Sequence, residues 1–241
     1  MLAQQMQATP RELKSGVEAV LRRLGEVGAC SPELAAQVRK LDGRVESHRA
    51  GVTLQTEGER ALRPRYLFSG WACRFRDLSD GRRQIVDFVL PGEGIGICLR
   101  PHAHATTTLT LTPVVLADAA SLMAGEDGAA SSEHAALVER VADADERRLL
   151  GALVRLGRMS ALERLAHLLL ELESRLAVVG LAGADGFPMP VTQESLADVL
   201  GLSVVHVNRT IQELRREGVV AMARGHVRIE DRQALESLAD A

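Results

Sequence analysis

Arginine, amide and hydroxyl side chains are concentrated near the C-terminus, in the segment 191–229. An Arg guanidinium can donate two hydrogen bonds to one guanine, and hydroxyl and amide groups commonly contact phosphates. Over residues 203–228 five Arg oppose two Glu, which gives a local charge of +3 in a chain whose net charge is −3. Phosphate contacts depend on such a local face rather than on the net charge. These residue types therefore favour nucleic-acid binding by this segment.

Two predicted helices and a tight turn would position these side chains. Thr192 is a candidate N-cap for a short helix over 193–200, and Ser203 is one for a second helix that runs to about Glu217. Gly201 lies between the helices and can adopt the positive φ that a tight turn requires. The apolar residues of the pair are spaced to form one small core: Leu196, Ala197, Leu200, Leu202, Val207, Ile211 and Leu214.

A predicted hairpin completes this segment. Two short strands, 219–222 and 226–229, are joined around Arg224 and Gly225. Helix, turn, helix and hairpin together indicate a winged helix-turn-helix, whose second helix enters the major groove of DNA. A helical hairpin that only packs is the structural alternative, and it does not explain the caps, the glycine, the wing and the charge together.

The preceding residues predict a β domain with helical flanks. Residues 10–41 indicate two helices, and 43–119 indicate short strands separated by Gly and Pro, as in an antiparallel barrel or jelly roll. Five of the six aromatic residues lie within 66–88 and mark its core. So few rings argue against single-stranded nucleic-acid modules, which stack bases on aromatic side chains. The predicted domains are an N-terminal sensor domain (1–131), a dimerisation helix (132–159) and a DNA-binding domain (160–241).

The long helix over 132–159 carries a heptad seam with steps of four and three, apolar except at Asp145, as in a two-helix dimer contact. An amphipathic helix packed only on its own barrel is the alternative. The predicted seam consists of Val138, Ala142, Asp145, Leu149, Ala152, Leu156 and Met159.

The ends and the cysteines limit the class of protein. The polar residues 1–14 and the absence of a long apolar run predict neither a signal peptide nor a membrane span. Cys30, Cys73 and Cys98 have no CxxC spacing, so no disulfide framework, iron–sulfur cluster or zinc–thiolate site is expected. We therefore expect a cytoplasmic protein.

The sequence resembles the Crp/Fnr superfamily of bacterial transcription regulators over essentially its whole length. The strongest similarity is Pro190-Val-Thr-Gln-Glu-Ser-Leu-Ala-Asp-Val-Leu-Gly-Leu-Ser, followed by Val207-Asn-Arg-Thr-Ile-Gln-Glu-Leu. Ser69-Gly-Trp, Asp80-Gly-Arg-Arg-Gln-Ile and Leu90-Pro-Gly-Glu are also similar. The resemblance implies an α+β fold with a jelly roll of the cyclic-nucleotide-binding type, a long dimerisation helix and a winged helix-turn-helix. It implies double-stranded DNA, a second copy of the chain and RNA polymerase as partners.

The resemblance also assigns roles within the helix-turn-helix. Thr192 and Gln193 match phosphate-contacting positions, and Arg209 matches the family's base-reading arginine. Family members often carry an acidic base-contacting residue at the position of Val205, preceded by a polar residue at the position of Val204. The two valines can contact only thymine methyls or the groove wall. The half-site sequence is therefore left open. The proposed DNA-binding residues are Thr192, Gln193, Ser203, Val204, Val205, His206, Asn208, Arg209, Gln212, Arg215, Arg224 and His226.

The resemblance gives no effector. Cyclic-nucleotide sites in this fold use a Glu for the ribose and an Arg for the cyclic phosphate. Residues 92–111 lack the family pattern: Ala105-Thr106-Thr107 stands where the phosphate Arg would be, and Arg100 lies on the wrong side of the turn. Cyclic AMP is therefore not expected. Haem or another effector stays open, and no effector-binding residue is assigned.

Two other functions stay as alternatives. His102 and His104 follow Gly96 with the spacing that opens the cupin metal motif, which would suit a metal-dependent jelly-roll enzyme. The Glu that such an enzyme needs is replaced by Thr108 or Leu109, so neither a metal site nor catalytic residues are assigned. The second alternative is an effector-binding dimer whose DNA-binding head is vestigial.

Overall fold

The computed structural model describes residues 8–28, 30–60, 63–98, 103–123 and 132–239. The chain divides into two compact units. The first comprises residues 1–75 and 88–146, and the second comprises residues 76–87 and 147–241.

Residues 45–118 form short antiparallel strands and belong to the first unit except for 76–87, which are grouped with the second. The strands are β1 (Val45–His48), β2 (Thr53–Gln55), β3 (Arg65–Ser69), β4 (Ala72–Asp77), β5 (Arg83–Val89), β6 (Gly94–Ile95), β7 (Thr107–Thr110) and β8 (Val114–Asp118). Two four-stranded sheets result, with the orders β1-β8-β3-β6 and β2-β7-β4-β5. Apolar side chains from both sheets, among them Leu67, Ala72, Val89 and Leu116, are buried in one cluster. This arrangement is the predicted antiparallel β domain.

Three helices cover the outer side of β3: α1 (Pro10–Glu26), α2 (Pro32–Arg39) and the short α3 (Ala120–Met123). They bury Val20, Leu24, Leu34 and Leu122 against Tyr66 and Phe68. The contact with α1 is close, since a Cβ added at Gly16 would lie 2.2 Å from Cγ of Phe68. A glycine is therefore needed at this point of the helix.

The second unit contains the C-terminal elements. They are the later part of α4 (Ser132–Arg158), then α5 (Ala161–Val178), β9 (Phe187–Pro188), α6 (Gln193–Leu200), α7 (Val204–Arg216), β10 (Val220–Ala223), β11 (His226–Ile229) and α8 (Arg232–Ala239). Ser160 caps α5 through a capping box with Glu163. The strands form one antiparallel sheet in the order β10-β11-β9.

The α+β prediction is confirmed, including the two N-terminal helices, the strand-rich middle, the long helix and the winged helix-turn-helix. The predicted domain boundaries at residues 131 and 159 stay a prediction. The two compact units separate within α4, between residues 146 and 147. Among the described residues, no helix is long and apolar enough to cross a membrane.

Candidate nucleic-acid interface

The inner faces of α6 and α7 form one apolar core. Leu196, Leu200, Val207 and Leu214 are buried there. Gly201 ends α6 with φ +63°, and its left-handed conformation turns the chain directly into α7. The predicted turn and core are therefore present.

Both helices begin with a hydroxyl cap. The Oγ1 of Thr192 accepts a hydrogen bond from the backbone amide of Ser195 at 3.1 Å, and the Oγ of Ser203 accepts one from the amide of His206 at 3.2 Å. Each cap fixes the first turn of its helix, where the remaining free amides point outward. The first turns of α6 and α7 can therefore accept a phosphate or approach base edges.

The outer face of α7 is exposed along its whole length. The side chains that lie on it are Ser203, Val204, Val205, His206, Asn208, Arg209, Gln212 and Arg215. Within the part of the chain that the structure describes, Arg209 and Arg215 form no ion pair. Their guanidinium groups are therefore available for a polyanion without the loss of an internal contact.

The wing ends in a tight two-residue turn. Ala223 pairs with His226 across the hairpin, and Arg224 and Gly225 have φ values of +50° and +73°. Two consecutive positive φ angles suit the twist of a two-residue hairpin. The turn holds Arg224 and His226 in exposed positions beside each other.

Two glutamates, Glu230 and Glu194, reduce the positive charge of this surface. The Nε of Arg228 donates to Oε1 of Glu230 at 2.7 Å, so this Arg is already paired. Thr192 and Gln193 are exposed at the start of α6, and Glu194 follows them. Its own backbone amide and the Thr192 side chain lower the pKa of Glu194, so this carboxylate is ionised at neutral pH. The basic face is therefore centred on α7 and the wing turn.

The structure places the predicted dimer seam in several environments. Val138 is buried within its own protomer, and Asp145 Oδ2 lies 3.4 Å from Nη1 of Arg74. Ala152, Leu156 and Met159 are half-buried, and only Ala142 and Leu149 are exposed. The seven residues thus do not form one free face of α4. The dimer contact itself stays a prediction.

A different stripe of α4 is apolar and exposed. It consists of Ala142, Leu149, Leu150, Leu153 and Val154, and we call it the α4 stripe. The spacing of seven, one, three and one places these residues on one side of a helix. The seam predicted from the sequence contains two of these five residues, Ala142 and Leu149. The other three could have been found from the adjacent apolar pairs Leu149-Leu150 and Leu153-Val154, which widen the apolar side of the helix.

A buried ionic network in the second unit was also missed. Arg155, only 2% exposed, pairs through Nη1 with Oε2 of Glu171 at 2.6 Å and lies 3.1 Å from Nδ1 of His167. Nη1 of Arg175 contacts Oε1 of Glu171 and Oδ1 of Asp87, both at 2.9 Å. The network joins α4, α5 and β5. Its charged side chains were missed because charged residues in an amphipathic helix are normally predicted to lie on the surface.

No metal centre emerges from the residues described. Within them, no group of three or more His, Cys, Asp or Glu side chains could hold a metal ion. His104 is half-buried, and its backbone amide donates to the carbonyl oxygen of Glu59 at 2.9 Å. His102 and Arg100 lie outside the described residues. Cys30 is exposed, Cys73 is buried and Cys98 is half-buried.

Comparison with known proteins identifies the class to which this architecture belongs. Residues 163–238 match the Crp-like helix-turn-helix domain. The chain is 33% identical over 218 residues to the nitrogen fixation regulation protein FixK of Bradyrhizobium diazoefficiens, with 88% of this chain and 90% of that protein covered. It is 29% identical over 222 residues to the transcriptional activator protein FnrL of Cereibacter sphaeroides, covering 88% and 86% of the two chains.

A solved structure agrees with these relatives. The structure of FixK2 from Bradyrhizobium japonicum superimposes with a TM-score of 0.73 at 27% identity, over 82% of this chain and 97% of that one. The chain therefore belongs to the Crp/Fnr superfamily and is a DNA-binding transcription regulator of that type. The relatives are regulators and give no support to the jelly-roll enzyme alternative.

Proposed function

We propose that the protein acts as a homodimer that reads a palindromic DNA site, with α7 of each protomer in the major groove. The observation that carries this proposal is the division of α7 into two faces. Val207, Ile211 and Leu214 are buried against the rest of the head, while the opposite face exposes Arg209 and Arg215. Such a helix is held rigidly and leaves its polar face to the groove.

Each group on this surface has a distinct role in the proposal. Arg209 donates two hydrogen bonds to O6 and N7 of a guanine, and Asn208 and His206 contact neighbouring bases or backbone. Thr192 and Gln193 contact phosphate at the start of α6, and Ser203, Gln212 and Arg215 border the groove. Arg224 and His226 of the wing contact the adjacent backbone, which positions the head without specifying sequence.

The α4 stripe supports the homodimer. Leu153 is 67% exposed and Leu150 is 55% exposed in the single chain, although burial of a Leu side chain stabilises by about 1.5–3 kcal/mol. A second α4 packed on this stripe would bury both residues twice, because a two-fold contact uses the same patch on each subunit. Two heads related in this way would read half-sites about 34 Å apart.

The barrel does not favour cyclic AMP. Glu93, which lies in the stretch where a ribose-binding Glu is expected, is buried. Its Oε1 lies 3.3 Å from Nη2 of Arg23, and its Oε2 accepts a hydrogen bond from the backbone amide of Leu90 at 3.0 Å. A ribose would have to compete with these internal partners for the carboxylate. This supports regulation that does not depend on cyclic AMP.

Two further parts of the proposal follow from the family. Relatives are named transcriptional activators, which supports contact with RNA polymerase at the bound site. A regulator of this type acts on bacterial DNA, which supports a cytoplasmic location.

Selection from a pool of random duplexes tests the proposed function. The purified full chain is expected to enrich a two-fold palindrome whose half-site centres are about 34 Å apart, and its affinity should fall steeply with salt concentration. Enrichment of no palindrome would instead support the alternative of a vestigial DNA-binding head. Enrichment of a single half-site without a symmetry mate would contradict the dimer.

A further inference from the structure

An apolar side chain stands at the position on α7 that first meets the bases. Val205 is 71% exposed, more than any other large hydrophobic side chain in the described part of the chain. It is the second residue of α7, two positions after the Ser203 cap, and recognition helices contact base edges with their N-terminal residues. Valine also has a modest helix propensity, so its presence here is not explained by the helix.

Val205 lies in line with the polar readers of the same helix. Asn208, Arg209 and Gln212 follow it at three, four and seven residues, which places all four on one side of α7. The opposite side is buried through Val207, Thr210, Ile211 and Leu214. A helix that presents Arg209 to the groove therefore presents Val205 to it as well.

The chemistry of valine limits what it can recognise. Val205 has no donor or acceptor, and in the major groove only thymine offers a methyl group as an apolar partner. The same side chain against the amino group of cytosine or the polar edge of a purine would cover a hydrogen-bonding group without a partner. The contact is thus favourable for one base and unfavourable for the other three.

We propose that Val205 is a specificity-determining residue that selects thymine by its C5 methyl group. This inference rests on the proposed groove-reading function of α7. Residues four apart on a helix are about 6 Å apart on its surface, and successive base pairs rise by about 3.4 Å. Each half-site therefore carries this thymine about two base pairs from the guanine that Arg209 contacts.

Replacing thymidine by deoxyuridine tests the contact, because the exchange removes only the methyl group. Each thymine of the selected palindrome is replaced in turn, and the affinity of the full chain is measured by fluorescence anisotropy. Loss of one methyl contact corresponds to about 0.8 kcal/mol, so binding should weaken about fourfold per half-site at one position. Replacement at the other thymines should have little effect.

Two variants assign the effect to the side chain. Val205→Ala should bind the thymine and uracil duplexes equally at that position, and alanine favours the helix, so folding is preserved. Leu181→Ala, at an exposed leucine outside α7, should keep the fourfold difference. Val205→Glu should shift the preferred base at the same position from thymine to cytosine, whose amino group donates to a carboxylate.

The outcomes separate this inference from the function on which it rests. A palindrome that is bound tightly while uracil is tolerated at every position would overturn the role of Val205 and leave groove reading intact. An unchanged uracil penalty in Val205→Ala would do the same. Failure to select any palindrome would overturn both proposals together.

Discussion

Arg209 is exposed on α7, and its guanidinium forms no ion pair with the described residues. Replacement by alanine should weaken binding to the selected site by about 1–3 kcal/mol, mainly by loss of discrimination at one guanine. Arg22→Ala, which removes an exposed Arg of α1 far along the chain, is the matched control and should leave affinity unchanged. Equal affinities of the Arg209 variant and the wild type would remove this residue from base recognition.

Glu171 stabilises the second unit because it holds two buried arginines at once. Its two oxygens face Arg155 and Arg175, which are 2% and 6% exposed. Glu171→Gln keeps the shape and removes the charge, so the free energy of unfolding should fall by about 3–5 kcal/mol, as for a buried pair that loses one partner. Glu236→Gln breaks the exposed pair with Arg232 and should change stability by less than about 1 kcal/mol. Urea denaturation followed by circular dichroism measures both.

The same carboxylate makes this stability depend on pH. Burial would raise the pKa of Glu171, but the charges of Arg175 and Arg155 and their hydrogen bonds outweigh it and lower the pKa. The contribution of Glu171 to the free energy of unfolding is therefore complete above its pKa in the unfolded chain, about 4.3. It is lost as the pH falls through the lower pKa of the folded protein. The stability difference between wild type and Glu171→Gln should be constant from about pH 7 to 5 and should shrink below about pH 4. A difference that persists undiminished at pH 3 would contradict this assignment.

At the level of elements, the contact of α1 with β3 depends on one glycine. A Cβ at Gly16 would lie 2.2 Å from Phe68, whereas one at Gly25 of the same helix would meet nothing within 4 Å. Gly16→Ala should therefore destabilise the first unit by about 1–3 kcal/mol through overpacking, and Gly25→Ala should stabilise it by up to about 1 kcal/mol. Thermal unfolding should show a lower melting temperature for Gly16→Ala and a higher one for Gly25→Ala than for the wild type. Stabilisation by both substitutions would show that the helix can move away from the sheet.

Elements with local signals were predictable from the sequence. The caps Thr192 and Ser203 and the left-handed Gly201 identify α6 and α7 within one or two residues, because each signal lies inside the segment that it shapes. The wing strands were placed within one residue for the same reason. The positions of the exposed residues of α7 follow from helix periodicity once the buried side is known.

Features that depend on distant partners were not predictable. Residues 187–188 form the short strand β9 because β11, some forty residues later in the chain, pairs with them. A Cβ at Gly186 would lie 2.1 Å from the carbonyl oxygen of Val227, so the glycine serves close approach rather than flexibility. The face of α4 also depends on distant contacts, since the partner of Asp145 is Arg74.

For the whole molecule, the property to measure is the proposed association of two chains through the α4 stripe. Leu153→Glu places a charge at the most exposed leucine of this stripe, where a two-fold contact would bring two carboxylates together. The variant should be monomeric at concentrations where the wild type is a dimer, as measured by sedimentation equilibrium. Leu181→Glu, at an exposed leucine outside α4, should remain dimeric.

DNA affinity should change together with association. A monomer engages one half-site at a time, so it loses the effective concentration that links the second head to the first. The affinity of Leu153→Glu for the full palindrome should therefore fall by about 10²-fold or more, while its affinity for an isolated half-site stays equal to that of the wild type. A monomeric variant that keeps full affinity for the palindrome would show that the heads act independently, and a dimeric Leu153→Glu would show that the two chains associate through another surface.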